Sequence, residues 1–298
     1  MHIINQAPEE QGQSGTRWTL GSLAAVCHWL TLKSSSGLHK MLKRLNIHYK
    51  RGRLKVHWPD PHYVEKLAEI TRTLEIVKAS RGKLVLLFAD QLTTYRQPTL
   101  AKAYGLAGSH QQPLAQCSHH SNSSWRSAAL LNALTGKVTF VEGYKIGRKQ
   151  LLALYAKACQ EYPEAEVIYV VLDNWPVHFH PDVLAELQAQ KTPFELKAAA
   201  NWSPEPSAKV KGLNLPIQLL PLPTYASWCN PLEKLWKHLK QKYLHLHRWS
   251  QVWEELKKRL REHLEQFKEG SQELLRYVGL TGNSKLYGAI LAVPLAPP

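Results

Sequence analysis

The chain has 298 residues, 44% of them hydrophobic, which is enough to bury a core and excludes a wholly disordered chain. Lys and Arg number 38 against 23 Asp and Glu, a formal net charge of +15 that points to a polyanionic partner, nucleic acid foremost. No apolar run reaches the ~18 residues that cross a bilayer, and Met1-His2-Ile3-Ile4-Asn5-Gln6 lacks a signal-peptide pattern, so a cytoplasmic, nucleoid-associated protein without a membrane partner is expected.

Residues 1–16 are polar and expected to be flexible. Thr19 is a candidate N-cap for a helix carrying Leu20, Leu23, Ala24, Cys27 and Leu30 on one face. Ser34-Ser35-Ser36-Gly37 interrupts the pattern, and a second helix follows with Leu38, Met41, Leu42 and Leu45. Helix, short Ser/Gly turn and helix make the helix-turn-helix layout, assigned to 17–58. Its second helix presents His39, Lys40, Lys43 and Arg44 and runs into Lys50, Arg51 and Arg53. Between residues 31 and 55 there are eight Lys/Arg and no acid. A solvated helix normally mixes signs, so this bias favours phosphate contact.

Trp58-Pro59-Asp60-Pro61 reads as a stiff connector, and 62–78 as a linking helix, within a linker spanning 59–81. The second domain begins with an apolar strand ending at Asp90. The stretches 112–118 and 124–131 are either strands or partly helical. Residues 137–143 follow as a strand, 147–160 as a helix, 167–173 as a strand and 181–187 as a helix. A Pro/Ala-rich stretch without period covers 192–215, then come a short strand at 217–220 and a helix at 230–243. This order predicts a mixed α/β sheet covered by helices over 82–248. Residues 249–298 read as C-terminal helices and a tail. The four cysteines form no CxxC, and Cys117 with His119 and His120 lacks further ligands at zinc spacing, which disfavours a zinc site or a disulfide framework.

Three carboxylates stand out. Asp90 and Asp173 each end an apolar strand pattern, where an uncompensated charge is costly and a bound cation is the usual compensation. Glu233 opens a helix after Leu222-Pro223-Thr224-Tyr225-Ala226-Ser227-Trp228-Cys229-Asn230-Pro231-Leu232. Taken singly, the aspartates suit turns and the glutamate suits a helix first turn. Converging, they would make a hard-oxygen site for Mg²⁺. The stretch Lys234, Lys237, Lys240 and Lys242, with His238, His245, His247 and Arg248, could hold DNA beside them.

Asp90, Asp173-Asn174 with His178, and the Leu-Pro-x-Tyr…Asn-Pro-x-Glu-x-x-Trp motif ending at Trp236 together resemble the DDE transposases of mariner-related bacterial insertion sequences, the insertion-sequence-630 type. The resemblance covers about 82–245. It implies a ribonuclease-H-like mixed sheet flanked by helices, with an N-terminal helix-turn-helix, winged-helix-like DNA-binding region. It further implies that Asp90, Asp173 and Glu233 are catalytic and hold two Mg²⁺ ions, with Mn²⁺ as a substitute. Asn174, His178 and Asn230 would support them, and Lys237 and Lys240 would join the N-terminal cations in DNA contact. The implied partners are double-stranded DNA, namely terminal inverted repeats and target, and a second copy in a dimer on DNA. Four departures stand out. Gln91 replaces a second acid, and Glu233 lies 60 positions beyond Asp173, with 192–215 as an insertion. Ala226-Ser227 replaces Ser-Pro, and there is room for one helix-turn-helix where relatives carry two. The alternatives are an inactive transposase-derived DNA-binding protein or a host ribonuclease-H-like nuclease.

Overall fold

The computed structural model describes residues 3–31, 34–49, 60–104, 112–281 and 286–287. The chain divides into two compact units, Met1–Val56 and His57–Pro298.

In the first unit, the N-terminal segment expected to be loose forms two 3₁₀ turns, Ile3–Asn5 and Pro8–Gln11. The Trp18 indole N–H holds them by donating to Gln6 O at 2.9 Å. Thr19 caps α1 (Leu20–Val26) through a reciprocal capping box with Ser22. The helix stops before Leu30, short of the expected length. Ser34, read as part of a helix-breaking turn, instead caps α2 (Ser35–Arg44) by accepting from Gly37 N–H at 3.1 Å, so Ser35, Ser36 and Gly37 form its first turn. The two helices touch each other. Residues 32–33 and 50–58 of the region expected to be winged-helix-like lie outside those described.

The second unit is built on a five-stranded sheet in the order β3-β2-β1-β4-β5. The strands are β1 (Leu84–Tyr95), β2 (Ser124–Asn132), β3 (Val138–Gly143), β4 (Val167–Leu172) and β5 (Ile217–Pro221). The β1–β2 and β2–β3 pairs are antiparallel, and β1–β4 and β4–β5 are parallel. β1 is the longest strand and runs past Asp90, which the sequence placed at its end. Asp90 pairs with Ala129 of β2, whereas pairing with β4 stops at Phe88 opposite Val171. The apolar run therefore ends where the parallel neighbour ends, not where the strand ends. Of the two ambiguous stretches, 124–131 is strand and 112–118 is irregular.

Alternation along the strands sends side chains to two cores. Val85, Leu87 and Ala89 of β1 join Ile168, Val170 and Leu172 of β4 under α4 (Arg148–Glu161) and the short α5 (Pro181–Leu184). Leu86, Phe88 and Leu92 join Val171 on the opposite face. That face is covered by α3 (Tyr63–Ala79), α6 (Leu232–Leu239), α7 (Trp253–Glu265) and α8 (Gln272–Val278). By the same parity Asp90 belongs to this second face. The helix read as a linker, α3, is thus a core element, burying Leu67, Ile70, Leu74 and Val77. The C-terminal helices likewise share the core, with Leu256, Leu260 and Leu264 fully buried.

The expected insertion has no regular structure but is pinned at both ends. Gln190 and Gln218 exchange side-chain amide bonds with the backbone around β5, including Gln190 Oε1 accepting from Leu219 N–H at 2.8 Å. The buried Glu186 accepts from Lys211 and Leu213 N–H at 2.6 and 2.7 Å.

Candidate active site

Asp90 lies on β1, Asp173 one residue beyond β4, and Glu233 in the first turn of α6. What brings the helix to the sheet is Asn230. Its buried amide donates to Ala89 O at 2.7 Å, and its carbonyl accepts from Leu232 N–H at 3.1 Å. One side chain therefore bolts the residue before Asp90 to the turn that launches Glu233. Leu235 and Trp236 drive the same helix into the core and are fully buried. A helix of eight residues is too short to be stable alone, so burial and the Asn230 bolt hold it. It continues as a π-helical turn, Lys240–Leu244.

Asp90 Oδ1 accepts from Gln91 N–H at 2.8 Å, while Oδ2 is buried without a hydrogen-bond partner among the described residues. Burial and the charge of Glu233 push the Asp90 carboxyl up to about 7; the Gln91 N–H opposes them, and the charge of Asp173 adds to the rise. Both other acids thus act on Asp90 through space. The Gln91 side chain replaces the expected second acid, while its backbone N–H and, more weakly, the Trp236 indole favour ionised Asp90.

Asp173 keeps 53% of its side chain exposed. Its Oδ1 accepts from Trp175 N–H at 3.2 Å and meets Nε2 of buried His178 at 3.3 Å. Desolvation pushes its pKa up, but the His178 bond and charge and the Trp175 N–H outweigh it, leaving the carboxyl below its ordinary value. His178 packs edge-on to Trp175, ring centroids 5.3 Å apart. Asn174 turns away from the acids and donates to Leu222 O at 2.8 Å, tying the end of β4 to the loop after β5. The Glu233 side chain makes no hydrogen bond or ion pair among the described residues, while its N–H donates to Asn230 O at 3.2 Å. The acids leave free oxygens of the hard type that Mg²⁺ selects, so their chemistry fits such an ion. Among the described residues no three His, Cys, Asp or Glu side chains are drawn to chelating distance as they stand.

The cations divide. His39, Lys40, Lys43 and Arg44 are exposed on α2, while Lys50, Arg51 and Arg53 lie outside the described residues. Lys237 and Lys240 are exposed beyond Glu233. Lys234 is diverted from the expected basic stretch, because it donates to Val278 O at 2.9 Å and satisfies a carbonyl at the end of α8. His247 is also withdrawn, being buried with Nδ1 accepting from Trp249 N–H at 3.2 Å.

Asp60 escaped the sequence reading. Taken as part of a stiff connector, it is a buried carboxylate. Its Oδ2 pairs with Lys66 Nζ at 2.8 Å and accepts from Thr224 N–H at 2.8 Å, and its Oδ1 accepts from His62 N–H at 2.9 Å. Tyr287 escaped too: its hydroxyl donates to Cys229 O at 2.6 Å. Both hold the loop between β5 and α6. An Asp flanked by prolines hinted at a fixed turn, but no spacing named Thr224 as its partner.

A family model described as DDE superfamily endonuclease matches residues 85–257, more than half of the chain. An insertion element IS630 uncharacterized 39 kDa protein of Shigella sonnei is 22% identical over 258 residues, covering 86% of this chain; the chain spans 66% of that relative's length. The Mos1 transposase paired-end complex with left transposon end superposes with a TM-score of 0.54 at 17% identity, covering 90% of this chain and 76% of that one. The Mos1 mariner paired end complex with Mn gives 0.53 at 16% identity, covering 90% and 77%. The corresponding complex with Mg gives 0.51 at 15%, with the same coverage. These likenesses establish the ribonuclease-H-like fold of the sheet and its helices. Among the described residues no helix is long and apolar enough to cross a membrane.

Proposed function

The chain belongs to the DDE superfamily of endonucleases, and we propose that it is the transposase of a bacterial insertion sequence, which cuts DNA at the element ends and joins them to a target. The observation that carries this reading is that the charges of Glu233, on α6, and Asp173, after β4, both raise the buried carboxyl of Asp90 on β1. Clustering like charges around a buried carboxylate is unfavourable unless a cation is to be received there.

Asp90, Asp173 and Glu233 would hold two Mg²⁺ ions, or Mn²⁺ in their place. Such ions would supply a lowered pKa for an attacking water or 3′-hydroxyl and charge neutralisation on a leaving oxygen. The rest of the chemistry belongs to the chain. Gln91 N–H favours ionised Asp90, His178 fixes the rotamer of Asp173, and Asn230 sets the approach of Glu233 to β1. Lys237 and Lys240 bind phosphates of the DNA alongside. In the first unit, α1 and α2 form the helix-turn-helix, with His39, Lys40, Lys43 and Arg44 toward the duplex. Two element ends are processed together, which calls for a dimer on DNA.

The test is Mg²⁺-dependent nicking of a supercoiled plasmid carrying the gene and its flanking DNA. Asp173→Ala and Glu233→Ala should each abolish nicking while DNA retention persists. Equal nicking by the wild type and both variants would remove the assignment. A DNA-binding relic is the second reading, favoured by the resting separation of the acids; it requires a wild type that binds DNA and does not nick. A host nuclease would cut without regard to inverted repeats in the flanking DNA.

A further inference from the structure

The loop from Leu222 to Pro231 joins β5 to α6 and is held at nearly every step. Leu222 N–H donates to Leu172 O at 2.8 Å, and Leu222 O receives the Asn174 amide. Asp60 holds Thr224, Tyr287 holds Cys229, and Asn230 holds Ala89. The loop is therefore anchored at one end on the residue beside Asp173 and at the other on the residue beside Asp90. Leu222, Ala226 and Cys229 face inward and are buried. Tyr225 faces outward with 72% of its surface exposed, and Trp228 is 48% exposed.

Within this loop Tyr225 stands apart. Its backbone sits at φ +57°, a left-handed conformation that Gly or Asn adopts readily and a bulky side chain does not. Its ring makes no hydrogen bond or ring contact among the described residues. The fold thus gains nothing visible from an aromatic here and bears backbone strain to keep one. Strained residues on a rigid frame gather where a ligand is met. The same loop leads into the exposed cations Lys237 and Lys240, on a chain of net charge +15, so a polyanion is what approaches this edge.

Resting on the reading of this chain as a DNA-cutting enzyme, we propose that Tyr225 is a DNA-stacking residue whose ring packs on a nucleobase beside the phosphate presented to the three acids. Every base offers a π-face, so the contact tolerates sequence, and a ring on a pinned loop fixes register along the DNA without a base-specific hydrogen bond. The ring suffices for this role and the hydroxyl is dispensable.

Tyr225→Gly separates this role from a structural one, because glycine relieves the backbone strain while deleting the ring. The full-length wild type, Tyr225→Gly and Tyr225→Phe are compared by thermal denaturation and by the plasmid concentration giving half-maximal Mg²⁺-dependent nicking. Tyr225→Phe should match the wild type within about twofold in half-maximal concentration, since stacking needs only the ring. Tyr225→Gly should keep or raise Tm yet need about tenfold more plasmid. Nicking by the wild type and by Tyr225→Gly at equal plasmid concentrations overturns the stacking role alone. A Tm lowered by several degrees in Tyr225→Gly also overturns it, by showing that the ring packs the fold. A wild type that does not nick removes the functional reading, and the stacking role with it.

Discussion

Replacing Asp60 by alanine should unsettle the second unit out of proportion to the atoms removed. The Asp60 side chain is 3% exposed and that of Lys66 10%. Deleting the carboxylate strands a buried ammonium and leaves the N–H groups of Thr224 and His62 without their acceptor. Removing one partner of a buried ion pair costs about 3–5 kcal/mol, most of it the uncompensated charge left behind. For a unit of this size each kcal/mol lowers Tm by about 2–4 °C, so a fall of about 10 °C is expected in the main calorimetric transition of the intact chain. The Asp60→Leu/Lys66→Met double variant removes both charges and should recover more than half of the loss, because apolar replacement of a buried pair is often neutral. The loss should also depend on pH. Burial pushes the Asp60 carboxyl up, but the Lys66 bond and the two backbone N–H groups prevail and hold it below its ordinary value. The stabilisation is therefore present above the unfolded pKa of about 3.9 and is lost as pH falls through the lower folded value. A Tm shift under about 2 °C for Asp60→Ala at neutral pH, or a double variant no better than the single, would refute the reasoning.

Two further outcomes concern packing and protonation. Gly136 has φ +70°, and a Cβ there would run into the backbone carbonyl of Ser271, so Gly136→Ala should lower stability by more than about 2 kcal/mol in urea unfolding; a loss below half that would show that the β2–β3 turn and the loop before α8 can separate. His263 is buried with neither ring nitrogen hydrogen-bonded among the described residues, and burial, then the charges of Lys242 and His238, push it down to about 4. The unfolded chain takes a proton near pH 6.5 that the folded one refuses, so stability falls as pH drops from about 6.5 toward 4. His263→Phe should flatten that slope in urea midpoints taken at pH 5 and 7; an unchanged slope would assign the acid sensitivity elsewhere.

The proposed site was named from the residues, because its chemistry needs particular types in particular settings. Each aspartate alone suited a turn, whereas the long Leu222-to-Trp236 motif carries both an acid and its core anchors. Most elements of the sheet and helices followed from hydrophobic period, since burial on one face leaves a period of 2 or 3.6 in any chain. Capping was legible at Thr19 and misread at Ser34, where a serine run suits a turn and a helix start equally.

What tertiary structure decided is how distant groups satisfy one another. Where β1 ends depends on antiparallel pairing with β2, which continues beyond the parallel pairing with β4; the apolar run recorded only the latter. Whether α3 links or packs depends on the sheet face it meets. Lysines at 234, 237 and 240 are chemically alike in the sequence, yet among the described residues only the first donates to a helix-end carbonyl. Asp60 became a core anion because Lys66 and Thr224 surround it in space. Local order along a polymer fixes which groups can pay nothing for burial and which need a partner; only the folded chain chooses the partner.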